Sequence, residues 1–204
     1  GCSAGLGNGL TNTDLANFCP GSGGSYGGLG GPGISELNNT NFQFICNSLV
    51  GNTYRQEGPP TLEGSGGGGS SDQYLGGKGG GLVVIGMKQG IIDGTIDCNG
   101  YIGMIPDDSK TGSGSGGSIQ IHTLKRLGGK GTVRAEGGPE TTLGGGFGGG
   151  GRIYVNYIGW KEMMYDKVNL DGGSRLTFSA KCGDSNGGTP TLVHHGSKGM
   201  MIWG

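Results

Sequence analysis

Few residues of this 204-residue chain have a type and spacing suited to chemistry. His194 and His195 are adjacent, and neighbouring side chains on a strand face opposite sides, so they do not chelate one metal together. His122 stands alone. Asp107 and Asp108 lie in a Pro-Asp-Asp-Ser stretch that reads as a turn, where capping and solvation account for both carboxylates and a weak calcium site is the most they offer. Gly129-Lys130-Gly131-Thr132 lacks the spacing of a phosphate-binding loop and leads into a strand rather than a helix. The Gly-Ser-Gly-Ser-Gly run at 112–116 matches a nucleophile elbow by letters only. No catalytic residue, cofactor site or metal site is predicted.

The five cysteines, Cys2, Cys19, Cys46, Cys98 and Cys182, have no zinc-site spacing. Disulfides are the expected use. Cys98 reads as a small buried thiol on the inner side of a strand and is left unpaired. Cys2, Cys19, Cys46 and Cys182 remain for two bridges, for which Cys2–Cys19 and Cys46–Cys182 is one of three pairings. Oxidation implies an extracellular location, secreted or on the cell surface. Asn38-Asn39-Thr40, a glycosylation sequon at Asn38, agrees with it.

The elements that would position these residues repeat. Residues 79–100 (GGGLVVIGMKQGIIDGTIDCNG), 114–138 (GSGGSIQIHTLKRLGGKGTVRAEGG) and 148–173 (GGGGRIYVNYIGWKEMMYDKVNLDGG) each read as a strand, a connector, a second strand and glycines. Their first strands begin at Leu82, Ser118 and Arg152, 36 and then 34 residues apart, a period typical of stacked repeats. Strand side chains alternate between faces. Val83 and Ile85, Ile119 and Ile121, and Ile153 and Val155 therefore fall on one inward ladder. Ile96 and Cys98, Val133 and Ala135, and Val168 and Leu170 fall on a second. Asp97, Arg134 and Asn169 face outward, as do Val84, Gln120 and Tyr154. The fold class expected is all-β, a glycine-rich, parallel β-helix-like solenoid of about 35-residue repeats.

Composition narrows this further. Glycine supplies 54 residues and only 31% of the chain is apolar, which excludes a thick core. Isolated glycine runs would be floppy linkers because glycine loses most entropy on ordering. Here the runs recur in register, just before each first strand, and ordered backbone-to-backbone packing is expected. Whether they form sheet strands or polyglycine II helices stays open.

Fourteen basic and fifteen acidic residues give a net charge of -1 without blocks, which argues against a nucleic-acid partner or a membrane-binding face. The longest apolar run, residues 82–85, is far short of the roughly 18 residues of a membrane span. The chain opens at Gly1 without a leader pattern, which implies a processed protein or part of a longer one. Parallel β-helices also carry polysaccharide-cleaving enzymes, but the outward rows hold no repeated acid pair. Arg134 and Arg152 are left as residues able to touch a sugar acid, and no enzyme activity is expected.

The order of motifs resembles a signature of large eukaryotic extracellular glycine-rich proteins found in plants, protists and simple animals. It runs from GSGGSYGGLGG at 21–31 through YRQEGPPTLEGSGGGG at 54–69 and LVVI…DGTIDCNG to GSGGSI…GGGGRI. The stretch at 21–31 resembles an SGGSHGG-type motif of that family. The likeness covers roughly residues 21–155, and residues 1–20 and 161–204 depart from it. By composition alone the chain is also similar to the glycine-rich region of the anaplastic lymphoma kinase receptor family. The first resemblance implies an extracellular location and brings no activity with it.

Three divisions are expected: a glycine-rich, disulfide-linked segment at 1–60, a repeat solenoid at 61–182, and a terminal strand segment at 183–204. Met200, Met201, Ile202 and Trp203 form an apolar strand in search of a partner, the kind of edge that polymerises. The function expected is a structural subunit of an extracellular fibre or coat, self-assembling head to tail through its ends or by strand exchange. The alternative is a glycan- or protein-binding module using Tyr154, Tyr157 and Trp160. Ice binding would need a regular Thr or Ala row, and the matched outward positions vary too much to supply one.

Overall fold

The computed structural model describes residues 20–36, 43–45, 51–54, 59–69, 75–103, 111–141, 144–157, 176–183 and 200–203. They contain β1 (Ile34–Glu36), β2 (Gln43–Ile45), β3 (Leu82–Ile91), β4 (Thr95–Asp97), β5 (Ser118–Gly128), β6 (Thr132–Arg134), β7 (Arg152–Tyr157), β8 (Thr177–Ser179) and β9 (Met200–Trp203). The fold is all-β: among the described residues there is no helix, and none long and apolar enough to cross a membrane. β1 and β2 pair antiparallel, while the others form two parallel sheets ordered β3-β5-β7-β9 and β4-β6-β8. From β3 onward the chain visits the two sheets alternately.

Short turns join β3 to β4 and β5 to β6. Between β3 and β4 the turn at Ile92 and Asp93 stacks on the turn between β5 and β6. Ile92 N donates to Gly128 O at 2.8 Å, Gly131 N donates to Ile92 O at 2.8 Å, and Lys130 N donates to the Asp93 carboxylate at 3.0 Å. Gly129, at φ 122°, supplies the left-handed residue that lets β5 reverse into β6.

The apolar rows follow the pairing register. Val83, Ile119, Ile153 and Met201 share one row, and Ile85, Ile121, Val155 and Trp203 the next. In the facing sheet the row is Ile96, Val133 and Phe178. Backbone bonds from Cys98 N to Arg134 O and from Ala135 N to Ser179 O carry the register one residue further, to Cys98, Ala135 and Ala180. From these rows Ile119, Ile121, Ile153, Val155, Val133, Cys98, Ala135 and Ala180 make the buried core, with Val83, Ile96 and Phe178 packed against it and Ile119, Ile121, Val133 and Ala135 fully enclosed.

The places read as Val168 and Leu170 are held by Phe178 and Ala180, and residues 158–175 lie outside the described residues. The glycine pair at 172–173 mimics the pair at 137–138, so matching glycines aligned the wrong strand. The true third strand is followed by Gly183, whose N bonds to Gly148 O as Gly138 N bonds to Gly114 O and Tyr101 N to Lys78 O.

Beside the sheets the glycine segments form a hydrogen-bonded bundle. Segment 111–117 runs through its middle, and its donors cycle among neighbours with a period of three. Gly112 and Ser115 donate to Gly68 and Ser65, Ser113 and Gly116 to Gly146 and Gly149, and Gly114 and Gly117 to Tyr101 and Cys98, all at 2.8–2.9 Å. Its carbonyls accept from three other segments: Gly77 and Gly80 at Gly112 and Ser115, Gly24 at Ser113, and Gly138 at Gly114. A donor direction that repeats every third residue is the periodicity of an extended threefold helix with no internal bonds. Every backbone group then has to find its partner on another segment.

This contact distance explains the composition. A Cβ on Gly112, Gly114, Gly116 or Gly117 would sit well inside contact distance of backbone atoms of Ser22, Lys78, Ala135 or Gly81. The side chains admitted in the central segment 111–117 are the small hydroxyls of Thr111, Ser113 and Ser115, while Phe147 is buried in a neighbouring segment. Ser65, Ser113 and Ser115 are fully buried, and Ser115 Oγ accepts from Ser65 N at 2.7 Å. Residues 20–33, which the sequence placed in a separate N-terminal segment, join the same bundle: Gly146 N and Gly149 N donate to Gly21 O and Gly24 O.

Candidate functional site

Two features concentrate side-chain chemistry among the described residues: a buried aromatic–arginine cluster and an open flank at β3. The cluster forms where residues 20–33, 51–54 and 59–63 meet the outer face of β5 and β7. Ser118 and Arg152 are register partners on that face. Arg152 is buried, its guanidinium lies 5.1 Å from the centre of the Tyr26 ring, and its Nη2 donates to Tyr54 O at 2.6 Å. Tyr26 and Tyr54 pack with ring centres 4.9 Å apart. Ser118 Oγ donates to Leu62 O at 2.6 Å, and the Tyr26 hydroxyl donates to Ser118 Oγ at 2.6 Å and lies 3.1 Å from Leu62 O. Tyr54 reaches Ser65 Oγ at 3.1 Å and Glu63 O at 3.2 Å. Burial pushes both phenols above their ordinary pKa, against the weaker opposing pull of the hydrogen bonds and of Arg152.

This arrangement fastens one part of the chain to another and encloses the charge it uses. Arg152, expected to be able to touch a sugar acid, is instead covered by Tyr26 and Tyr54. Arg134, its companion in that expectation, lies against Asp97 at 2.5 Å, with both side chains partly exposed. Such a surface pair contributes little stability.

The other chemistry candidates are scattered. His122 Nε2 meets Gln120 Oε1 at 3.0 Å and the ring lies 5.7 Å from Tyr154, while Gln120 Nε2 donates to Pro60 O at 2.5 Å. His194, His195, Asp107, Asp108, Trp160, Asn38, Cys2, Cys19 and Cys46 lie outside the described residues, as does the side chain of Tyr157. The two expected bridges, Cys2–Cys19 and Cys46–Cys182, therefore fall outside them too. Cys182 is half-buried just past β8. Cys98 is a buried free thiol whose pKa is pushed up to about 11, first by desolvation and then by the Asp97 charge. Among the described residues no group of three or more His, Cys, Asp or Glu could hold a metal ion.

Met200, Met201, Ile202 and Trp203 differ from expectation. They form β9, and β9 pairs in parallel with β7 of its own chain, from Arg152↔Met200 to Val155↔Trp203. The strand has its in-chain partner because its four residues fit the register that Ile153 and Val155 already set. Among the residues whose exposure is described, apolar side chains are exposed along β3, at the other end of the sheet. Leu75, Leu82, Val84, Ile91, Tyr101 and Ile102, six of the nine exposed large apolar residues described, belong to residues 75–102. A shallow groove is lined by Gly81 and residues 97–101, Tyr101 among them.

A polar row went unread in the sequence. Thr95, Thr132 and Thr177 are register partners across β4, β6 and β8, so one outward row is regular. The next outward row, Asp97, Arg134 and Ser179, is not. With strand 177–179 misplaced, the third threonine of the regular row could not be matched.

Compared with protein-family models, curated proteins and solved structures, the chain matches none of them.

Proposed function

We propose that this chain is a structural, non-catalytic module of an extracellular fibre or coat, built as a β-solenoid of units of about 35 residues whose glycine segments pack as polyglycine II helices. The observation that carries this reading is the threefold donor cycle of residues 111–117, which ties one segment to six neighbours through backbone alone. A lattice of this kind is stiff, and it displays few side chains with which to bind or react. The alternation of the chain between two parallel sheets supports the solenoid, and solenoid stacks grow by adding units at their ends. The likeness to eukaryotic extracellular glycine-rich proteins supports the location.

Negative-stain electron microscopy of the oxidised protein over a range of concentrations tests the proposal. Regular filaments of constant width are the expected result, and isolated particles at every concentration would sink self-assembly. The alternative, a glycan-binding module, is favoured by one feature, the exposed Tyr101 ring at a groove with Asp97 and Asn99. Isolated particles that bind immobilised glycans, and lose binding in Tyr101→Ala, would establish that reading in its place.

A further inference from the structure

Resting on the structural reading above, we propose that the open edge of β3 is the acceptor for β9 of a second copy of this chain. In this contact β9 adds to residues 82–85 as a parallel strand, in the register Met200 to Leu82, Met201 to Val83, Ile202 to Val84 and Trp203 to Ile85.

The core is open at this flank. Ile119 and Ile121 are 0% exposed, and Val133 likewise, whereas their register partners Val83, Ile85 and Ile96 are only half-buried. The rows are alike in chemistry, so the difference lies in what covers them. Among the described residues β5 and β6 have a strand on each side, and β3 and β4 on one. Val84 on the outer side of the same edge is 57% exposed.

Edge strands are usually guarded by charge, proline or a bulge. In β3 the guard comes late. Lys88 and the register shift between Met87 and Gln89 fall after the first half of the strand, and residues 82–86 contain neither charge nor proline. The unguarded stretch matches the four residues over which β9 pairs with β7.

Backbone direction agrees as well. Ser118 N donates to Gly81 O and Arg152 N to Gly117 O, which sets the alternation of the parallel ladder. Odd-numbered residues of β3 then face β5, and Leu82, Val84 and Gly86 direct N–H and C=O to the open edge. By the same alternation Met200 and Ile202 face β7, and Met201 and Trp203 direct theirs away. These are the groups that a same-row ladder between β9 and β3 requires. β3 and β9 are opposite ends of one four-stranded sheet, so they meet only between copies. The contact is heterologous and does not close, which yields a filament.

Val84→Pro tests this without disturbing the fold, since it removes an N–H that faces the open edge and leaves the β5 ladder intact. Val84→Lys, at the same exposed position, is the second variant. Sedimentation and electron microscopy of unmodified protein and both variants, with circular dichroism as the check on folding, give the readout. The expected result is assembly by the unmodified chain and loss of polymer, or an assembly concentration raised about tenfold or more, in both variants. Equal assembly by folded variants overturns the β3 contact while leaving the fibre reading in place. A monomeric unmodified chain at every concentration overturns both.

Discussion

The two-sheet core and the glycine bundle are stabilised by opposite means. In the sheets, Ile119, Ile121, Ile153 and Val133 exclude water with branched side chains, and the backbone bonds follow in register. In the bundle the buried apolar side chains described are Tyr26 and Phe147, and the segments meet mainly backbone to backbone through bonds such as Gly112 N to Gly68 O and Gly116 N to Gly149 O. Burial of side chains is roughly proportional to area and tolerates changes of shape. Backbone contact leaves no side chain to re-pack, so an added methyl group must displace a whole segment. One residue type, glycine, therefore has two different meanings in this chain. It is a spatial requirement in the bundle and an ordinary choice on the open flank.

The sharpest break of that comparison is Gly114→Ala. The added Cβ would collide with the carbonyl of Lys78 and with Gly79 N, backbone on both counts, in the segment with most neighbours. A loss of about 3 kcal/mol or more is expected, enough to leave a marginal fold unfolded. Denaturant unfolding, or failure to recover folded protein, reads it. Ile121→Ala attacks the other region. Ile121 is fully enclosed, and removing its side chain should cost about 3 kcal/mol by transfer and cavity together. The two variants should differ in kind. An Ile121→Val rescue recovers most of the loss, whereas no side chain rescues Gly114 because even the smallest is too large.

What the sequence disclosed follows the same division. The apolar ladders through Val83, Ile119 and Ile153 were legible because alternation is a local signal. The recurrence of glycines before Leu82, Ser118 and Arg152 announced ordered segments for the same reason. Contacts without a local signal were not legible. Arg152 and Tyr54 are 98 residues apart, and Tyr26 and Ser118 are 92, so no periodicity announces the cluster that covers Arg152. The partner of β9 was hidden because forty-odd residues separate it from β7, more than the earlier spacing. The error over Val168 and Leu170 shows the hazard of glycine as a marker. In a chain with this much of it, a glycine pair can occur after the wrong strand.

Alkaline pH probes the seam where the two regions join. Cys98 ends the strand row of β4 and its carbonyl accepts from Gly117 in the bundle. Its thiol titrates near pH 9.0 when exposed and at about 11 in the fold. The unfolded thiol ionises first as pH rises, so stability is complete below pH 9.0 and declines as pH passes toward 11. Tyr26 and Tyr54, also raised from 10.0, add to the decline in the same direction above that value. Urea midpoints measured across this range should fall, and Cys98→Ala should flatten the early part of the fall. An unchanged slope in Cys98→Ala would remove the thiol from the account.

A smaller effect belongs to the cluster that ties residues 20–33 to the sheet. Tyr26→Phe keeps the ring beneath Arg152 and removes the hydroxyl that donates to Ser118 Oγ. Losing that bond while leaving the buried Ser118 hydroxyl, which still donates to Leu62 O at 2.6 Å, should cost about 1 kcal/mol. A shift in the unfolding midpoint with unchanged slope checks it.

The smallest expected effect is also the one that isolates the principle. Gly86 lies in β3 with nothing within 4 Å of where a Cβ would stand, and its φ is outside the left-handed region. Alanine there meets no atom and reduces the freedom of the unfolded chain, so Gly86→Ala should be neutral or stabilising by about 0.5 kcal/mol. Gly117, beside the start of the neighbouring strand, would meet Gly81 O and Gly80 O, and Gly117→Ala should be strongly destabilising. The pair differs in sign although the chemical change is identical and Gly117 directly precedes the strand that pairs with the strand of Gly86. If both variants unfold alike, close backbone contact is not what governs glycine in this fold, and the contrast between bundle and flank fails with it.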